Sequence, residues 1–280
     1  MIVVIGANGE VGSRLVELLA RQDRPVRAFV RDVVKAQTRF GTGVEVVQGD
    51  LANEASLRRA LADASGVFLC SPVMPEQTAL QNRVIDLAGA LGSPYVVKLS
   101  GIATHPGSAV DSGAWHAETE AHLAASGLPF TCLHPNFFMQ NLATHVAQAK
   151  AHGVIRSASP DAKIAMVDTR DIAEVAARLL VAPATAKGQT LSLTTARAIS
   201  FTDLAASLTK HLGRTIRLEE LTPKAFEDML RATGMPAWRV ALLQQFNQAF
   251  LDGLGAAVST AVPEILGRPA YTVEDYLEAL

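Results

Sequence analysis

The hydrophobic pattern of the first 135 residues alternates between short apolar runs and longer stretches with helical periodicity. The runs that we predict as strands are Ile2–Ile5, Val26–Val30, Glu45–Val47, Val67–Cys70, Tyr95–Val97 and Phe130–Leu133. Several are β-branched with little polar alternation, which is typical of strands covered on both faces. Because parallel strands need long crossovers, this alternation predicts an α/β fold with a doubly wound parallel sheet.

The pattern becomes less regular after Pro135, where most of the long aromatic and methionine side chains lie. The elements predicted there are a strand at Thr190–Leu193 and helices at Asp171–Val181, Thr202–Leu212, Lys224–Ala232 and Ala237–Leu251. We therefore predict a dinucleotide-binding domain over residues 1–150, to which 165–195 returns. Residues 196–280 are predicted to form a smaller, mainly C-terminal substrate or lid lobe.

A glycine-rich segment, Gly6-Ala7-Asn8-Gly9-Glu10-Val11-Gly12, follows the first predicted strand and precedes a helix. Gly6 permits a tight turn, Gly9 lets the backbone approach a pyrophosphate at the helix N-terminus, and Gly12 allows close helix–strand packing. This spacing predicts a Rossmann-type phosphate loop, and the alternative is a glycine-rich turn without a ligand. The predicted cofactor contacts of the loop are Gly6, Asn8, Gly9, Glu10, Val11 and Gly12.

The choice of cofactor depends on the end of the second predicted strand. Arg31 and Lys35 suit the 2′-phosphate of NADP(H), whereas Asp32 would suit the free ribose hydroxyl of NAD. Two cations against one acid predict NADP(H), and the alternative is a solvated charged loop. Asp50 is expected either to accept a hydrogen bond from the adenine amino group or to cap the helix that begins near Asn53. Other cofactor contacts predicted at strand ends are Leu51, Cys70, Ser71, Pro72 and Leu99.

Composition narrows the class of protein. The chain has 280 residues, of which 49% are hydrophobic and 19% charged, so it can build a core and is not disordered. A net charge of −2 disfavours general nucleic-acid binding. Without a long uninterrupted apolar window, no membrane span is predicted and the expected location is the cytoplasm. Cys70 and Cys132 are predicted as buried thiols, not as a disulfide or metal site, and a monomer and a homodimer both remain open.

Nearly end to end, the chain resembles the short-chain dehydrogenase/reductase superfamily and, within it, the atypical NmrA-like family. The matching segments are GANGEVG, RAFVRD with Lys35, GDL, HAETE, LPFTCLHPNFFMQNL, DTRDIAEVAARLL and GRPAYTVEDYLEAL. That family includes type 2 NAD(P)H:quinone oxidoreductases and triphenylmethane dye reductases. The resemblance implies that His134–Phe138 lies over the nicotinamide, with Pro135, Asn136 and Phe137 contacting the cofactor and Phe138 shaping the substrate pocket. The alternative for Phe137 and Phe138 is plain core. Ser100 matches the superfamily's active-site serine, which orients a substrate oxygen or the nicotinamide amide, or only caps local backbone.

One departure from the ordinary superfamily pattern predicts the type of reaction. Ordinary members use a Tyr and a Lys four residues later, and the matching residues here are His116 and Glu120. A glutamate is expected to raise the pKa of His116, so chemistry that needs a tyrosine proton donor is disfavoured. Direct hydride transfer to an electron-poor acceptor remains: a quinone, a dye, an iminium or a conjugated alkene. His116 is the candidate proton donor, because an unperturbed histidine titrates near neutrality, and the alternative is a structural His116–Glu120 pair.

The substrate and the class of protein follow from these predictions. Trp238 and Phe246 lie on an aromatic stripe that is either core or the wall of a pocket for a flat, apolar, conjugated molecule. The main prediction is an NADPH-dependent reductase of small molecules, with no nucleic-acid or membrane partner. A dinucleotide-binding redox sensor that regulates a protein partner is the alternative. A sugar-nucleotide epimerase is disfavoured because the Tyr/Lys pair is missing.

Overall fold

The computed structural model of the protein describes residues 1–183 and 186–280. The strands are β1 (Ile2–Ile5), β2 (Val26–Val30), β3 (Glu45–Gln48), β4 (Gly66–Leu69), β5 (Tyr95–Leu99), β6 (Phe130–Pro135), β7 (Val154–Ser157), β8 (Thr190–Leu193) and β9 (Arg217–Glu220). The helices are α1 (Glu10–Arg21), α2 (Val33–Phe40), α3 (Glu54–Leu61), α4 (Gln77–Leu91), α5 (Asp111–Ala125), α6 (Ala143–His152), α7 (Thr169–Val181), α8 (Phe201–Leu212), α9 (Pro223–Ala232), α10 (Ala237–Leu251), α11 (Ala261–Leu266) and α12 (Val273–Glu278).

The larger sheet has the strand order β3-β2-β1-β4-β5-β6-β8. Its pairs β1–β2, β1–β4, β2–β3, β4–β5 and β5–β6 are parallel. The predicted α/β fold with a doubly wound parallel sheet is therefore confirmed. The predicted strands are present with ends shifted by at most two residues; β5, for example, continues to Leu99 where the pattern ended at Val97.

A second, two-stranded sheet was not predicted. It pairs β7 with β9 in parallel. Strand β9 consists of Arg217, Leu218, Glu219 and Glu220, so no apolar run indicated a strand there. The four helices predicted after Pro135 are present as α7 to α10, and three of them begin one or two residues earlier than predicted. None of the described helices combines the length and hydrophobicity needed to cross a membrane.

The chain divides into two compact units. The first comprises 1–106, 112–134 and 169–192, and the second comprises 107–111, 135–168 and 193–280. Residues 107–111, 165–168 and 193–195 belong to the second unit and not, as predicted, to the first. The largest difference is at residues 135–150, which also belong to the second unit. The reason is hydrophobic packing, because this segment contributes to the core of the second unit. That core includes Met139, Leu142, Val146, Ile155, Ile164, Leu204 and Leu208.

Within the first unit, the parallel strands place several chemistry-bearing residues at one edge of the sheet. Gly6 follows β1, Cys70 follows β4 and Ser100 follows β5. The register pairs Leu99 of β5 with Leu133 of β6, so the next residues, Ser100 and His134, come side by side. Ligands of open α/β sheets bind outside this carboxyl edge, where the order of the strands reverses.

Candidate active site

The glycine-rich loop Gly6–Gly12, hereafter the phosphate loop, has the close packing that its sequence predicts. Gly6 has a φ of +79°, a backbone conformation that favours glycine. A Cβ on Gly12 would lie 2.3 Å from the Gly6 carbonyl oxygen, so helix α1 approaches the turn more closely than any side chain allows. Gly9 precedes α1 and provides no side-chain cap. The first N–H groups of α1 therefore point out of the helix without an intrahelical acceptor, which makes this end suitable for a phosphate.

Asn8 connects the phosphate loop to the residues that follow β2. Its Nδ2 donates to the Asp32 carbonyl oxygen at 3.2 Å. Its Oδ1 is buried without a hydrogen-bond partner among the described residues, which leaves an acceptor for a ligand donor. The carboxylate of Asp32 caps α2 by accepting from the Lys35 N–H at 3.0 Å. Arg31 and Lys35 are exposed, and neither forms an ion pair within the described part of the chain. Asp32 is therefore used to cap α2, while the side chains of Arg31 and Lys35 remain available for a phosphate.

Asp50 and Leu51, the two cofactor contacts predicted after β3, do not cap the helix that follows. Asn53, not Asp50, caps α3, because its side chain accepts from the Ser56 N–H at 2.9 Å. The helix-capping alternative for Asp50 is wrong. Its exposed carboxylate instead accepts from the Ala52 N–H at 2.8 Å. Leu51 beside it is half-buried.

The remaining predicted contacts lie after β4 and at the end of β5. Cys70 is half-buried, and burial raises the pKa of its thiol to about 11, so it stays protonated at neutral pH. Ser71 accepts a hydrogen bond from Gln81 Nε2 at 2.8 Å. Pro72 is exposed and Leu99 is buried. Their contact with a cofactor stays a prediction.

Six polar side chains form a connected group in the first unit, and we call this group the polar cluster. Its members are Gln77, Lys98, Ser100, His116, Glu120 and His134. Lys98 is completely buried and donates from Nζ to Ser100 Oγ at 2.6 Å. The Ser100 hydroxyl donates to Glu120 Oε1, which also accepts from His134 Nε2 at 2.8 Å. The cluster thus links a buried cation to a carboxylate through one hydroxyl.

His116 differs from its predicted role as a proton donor. It is 7% exposed, and Lys98 Nζ lies 3.0 Å from its Nδ1. Burial, followed by the charges of Lys98 and His134, holds the pKa of His116 well below its ordinary value. The expectation that Glu120 raises this pKa is wrong. The two residues also do not form the alternative intrahelical pair, because Glu120 bonds to Ser100 and His134.

Gln77 occupies the remaining hydrogen-bonding capacity of His116. Its amide nitrogen lies 3.0 Å from Nδ1 and 3.4 Å from Nε2. A neutral ring nitrogen has one lone pair, so Nδ1 cannot accept from both Lys98 and Gln77. Gln77 Oε1 is buried without a partner among the described residues. Turning the amide over gives His116 an acceptor: Nδ1 accepts from Lys98, and Nε2–H donates to Gln77 Oε1 across the 3.4 Å contact, while the amide NH2 group takes the position without a partner among the described residues. Both nitrogens of a neutral His116 are then used inside the protein.

The hydrogen bonds of Ser100 restrict what it can do in its predicted role. Its single hydroxyl proton goes to Glu120, and one lone pair accepts from Lys98. It therefore cannot donate to a substrate oxygen, but its second lone pair can accept from an amide N–H such as that of a carboxamide. At 7% exposure the residue is at the limit of accessibility.

The pKa values of Lys98 and Glu120 are both lowered within the cluster, for different reasons. Burial lowers the pKa of Lys98 to about 8, and the negative charge of Glu120 offsets part of that shift. Burial alone would raise the pKa of Glu120, but the hydrogen bond and charge of His134, the hydrogen bond from Ser100 and the charge of Lys98 hold it below its ordinary value. Glu120 is therefore a carboxylate at neutral pH.

The other predicted residues lie in the second unit. Asn136 uses its side chain internally, because Nδ2 donates to the Gly255 carbonyl oxygen and Oδ1 accepts from the Phe137 N–H. Phe137 packs edge-on against Phe250 at 6.1 Å, and Phe246 stacks on the same ring at 6.0 Å. Both therefore contribute to the core of that unit. Pro135 is buried, while Phe138 and Trp238 are half-buried. Their cofactor and substrate contacts stay predictions.

Sequence reasoning missed Gln77, and it placed His134 over the nicotinamide without predicting its contact with Glu120. Both come into position through the sheet register and helix packing, which local spacing does not reveal. One signal was present: Lys98 interrupts an otherwise apolar strand, and a charge in a fully covered strand needs a buried partner. That signal predicts polar partners for Lys98 in the elements that neighbour β5.

Together, the fold and the site define a dinucleotide-binding α/β protein with a buried acid–base cluster at the same sheet edge as its phosphate loop. Residues 1–276 match the model of the NmrA-like family, and the chain belongs to that family. The resemblance predicted from the ordered motifs is thereby confirmed.

Several similar proteins match over almost their whole length. The (4-alkanoyl-5-oxo-2,5-dihydrofuran-3-yl)methyl phosphate reductase of Streptomyces griseus is 36% identical, over 99% of this chain and 96% of that protein. The NAD(P)H azoreductase of Xenophilus azovorans is 31% identical, over 100% and 97%. Among solved structures, the NADPH complex of the NADPH-dependent quinone oxidoreductase of Escherichia coli superposes with a TM-score of 0.90 at 28% identity. It covers 100% of this chain and 99% of that one.

Proposed function

We propose that this chain is an NADPH-dependent reductase that transfers hydride to an electron-poor, conjugated small molecule. That it is an NAD(P)H-dependent oxidoreductase with NADP(H) as cofactor follows from its relatives, which include the azoreductase and the quinone oxidoreductase bound to NADPH. The azo, quinone and dihydrofuranone groups in the names of the relatives are all unsaturated acceptors of electrons.

The residues of the phosphate loop fit a dinucleotide. The close packing at Gly12 leaves the N-terminus of α1 open to a pyrophosphate. The buried Oδ1 of Asn8 is an acceptor that lacks a donor. Arg31 and Lys35 are available to hold a 2′-phosphate, because Asp32 is engaged in capping α2. This pair of available cations is the observation that carries the preference for NADPH.

The polar cluster supports the choice of acceptor. Bound NADPH would supply the hydride. No tyrosine takes part in the cluster, and both ring nitrogens of His116 are used inside the protein. Neither a tyrosine nor His116 is therefore available as an acid in this group of residues. Quinones, cationic dyes, iminium ions and conjugated alkenes are already electron-poor, so positioning beside the cofactor matters more for them than the strength of an acid.

A panel of acceptors tests this function. We expect loss of NADPH absorbance with at least one quinone, cationic dye, cyclic imine or conjugated lactone, and a lower rate with NADH. Calorimetry with NADPH and NADH serves as the binding control. Tight NADPH binding without turnover across the panel would contradict the reductase and favour a redox sensor that reports to a protein partner. No binding of either dinucleotide would contradict both.

A further inference from the structure

His134 and Glu120 form a carboxylate–imidazole pair that neither the phosphate loop nor hydride transfer accounts for. Nε2 of His134 lies 2.8 Å from Glu120 Oε1, and the two side chains are 13% and 18% exposed. The described residues offer no hydrogen-bond partner to His134 Nδ1. One ring nitrogen is therefore held by a carboxylate, and the other has no hydrogen-bond partner among the described residues.

The pair has the arrangement of a general acid and its orienting group. A carboxylate that accepts from one imidazole nitrogen fixes the ring orientation and stabilises the imidazolium, as in hydrolase triads. Glu120 is kept ionised by its neighbours and so does not take the proton itself. The other polar groups are less suitable. The Ser100 proton is committed to Glu120, and His116 is buried between Lys98 and Gln77.

We propose that His134 is the general acid that protonates the reduced acceptor, and that Glu120 orients its ring. This inference rests on the proposed reductase function and deepens it. Hydride adds two electrons and one proton to a quinone and leaves an anionic oxygen. In the same transition state, a bond from that oxygen to hydrogen forms as the Nδ1–H bond of protonated His134 breaks. The Nε2–H bond to Glu120 is kept throughout, and neutral His134 recovers its proton from water.

Two acceptors separate proton delivery from hydride delivery. A quinone needs a hydride and a proton, whereas a cationic triphenylmethane dye needs only the hydride, because its product is neutral. In single-turnover experiments, His134→Gln should lower the rate of quinone reduction roughly 10²–10⁴-fold, the range for loss of a general acid. Reduction of the dye should be little changed. In the wild type, D2O should slow quinone reduction but not dye reduction.

His122 offers a matched control. It also pairs with a carboxylate, since its Nε2 lies 2.7 Å from Asp86 Oδ1, but it lies on the outer part of α5 with 37% side-chain exposure. His122→Gln should leave both reactions unchanged. His134→Asn provides a second variant if His134→Gln folds poorly, and the Kd of NADPH reports on the integrity of the cofactor site in each variant.

The outcomes distinguish the inference from the proposed function. A wild type that reduces neither acceptor contradicts the reductase itself. Equal losses with quinone and dye in the His134 variants make the residue structural and overturn the inference, as does an unchanged quinone rate. An independent readout uses ¹⁵N-histidine NMR with NADP⁺ present. Titration with a phenol should shift the Nδ1 signal of His134, assigned by its absence in His134→Gln, and no shift would also overturn the inference.

Discussion

The phosphate loop and the polar cluster lie at the same edge of one sheet, but they are built in opposite ways. The loop is a single local segment whose function depends on missing side chains, because a Cβ at Gly12 would meet the Gly6 carbonyl at 2.3 Å. The cluster draws side chains from β5, β6, α4 and α5 and depends on a cation, Lys98, that has no exposed surface. Substitutions in the loop should therefore destabilise the protein through steric overlap. Substitutions in the cluster should destabilise it through an uncompensated buried charge.

The largest expected effect tests the charge balance of the cluster. Lys98→Met removes the buried cation and leaves Glu120 with His134 as its one charged partner in the cluster, which should lower the free energy of unfolding by about 3–5 kcal/mol. The double variant Lys98→Met/Glu120→Gln should recover part of this loss, because neither charge remains. Denaturant unfolding measures both. Lys210→Met, an exposed lysine of α8, should change stability by less than about 0.5 kcal/mol.

A loss below about 1 kcal/mol in Lys98→Met, in the range of a surface ion pair, would contradict the buried-charge interpretation. So would a double variant that is less stable than the single one. Either result would make the cluster an ordinary hydrogen-bonded group and remove the contrast with the loop.

The next largest effect is the loss of stability caused by an added side chain in the phosphate loop. Gly12→Ala should cost about 1–3 kcal/mol of stability through overpacking, and it should also weaken NADPH binding because the turn must shift. Gly89 in α4 is the matched control, since an added Cβ there meets nothing within 4 Å. Gly89→Ala should be neutral or stabilising. Unfolding curves and NADPH calorimetry check both variants, and equal behaviour of the two would show that the turn is not tightly packed.

The same contrast explains how much the sequence predicted. The spacing of Gly6, Gly9 and Gly12 is local, so the phosphate loop and the sheet around it followed directly from the pattern of residues. The residues that matched a catalytic pair, His116 and Glu120, were also correctly placed on one helix. Their partners were not, because Gln77 and His134 reach them only through tertiary packing. Strand β9 was missed for a related reason: its charged residues carry no apolar signal, and pairing with β7 alone makes it a strand.

The preference for NADPH over NADH tests whether the cations after β2 belong to the same cofactor site as the phosphate loop. Arg31→Ser should raise the Kd of NADPH about 10- to 100-fold, the equivalent of a lost charge-assisted hydrogen bond, and leave the Kd of NADH unchanged. Arg24→Ser, an exposed arginine before β2 at the opposite edge of the sheet, should change neither value. Calorimetry measures both constants. An equal loss for the two cofactors would show that Arg31 does not read the 2′-phosphate.

His116 provides a smaller effect within the cluster. Because its ring nitrogens bond inside the protein, His116→Gln should slow single-turnover quinone reduction by less than about tenfold, below roughly 1.4 kcal/mol. The predicted role as an acid would give about 10²–10⁴-fold instead. Stopped-flow absorbance of NADPH distinguishes the two, and the larger loss would return the proton-donor role to His116.

The smallest effect is the pH dependence of the free energy of unfolding that Lys98 of the cluster causes. Folding lowers the pKa of Lys98 from 10.5 to about 8, chiefly through burial, so above pH 8 the unfolded chain holds more protons at this site than the folded one. Stability then rises with pH, by about 1 kcal/mol between pH 8 and 9.

Above pH 9 the thiols oppose this trend, because burial raises the pKa of Cys70 from 9.0 to about 11 and also raises that of Cys132. Subtracting the unfolding curve of Lys98→Met isolates the contribution of the lysine, since the thiols remain in both proteins. A difference that stays flat from pH 8 to 9 would mean that Lys98 keeps its proton in the folded protein as firmly as in the unfolded chain.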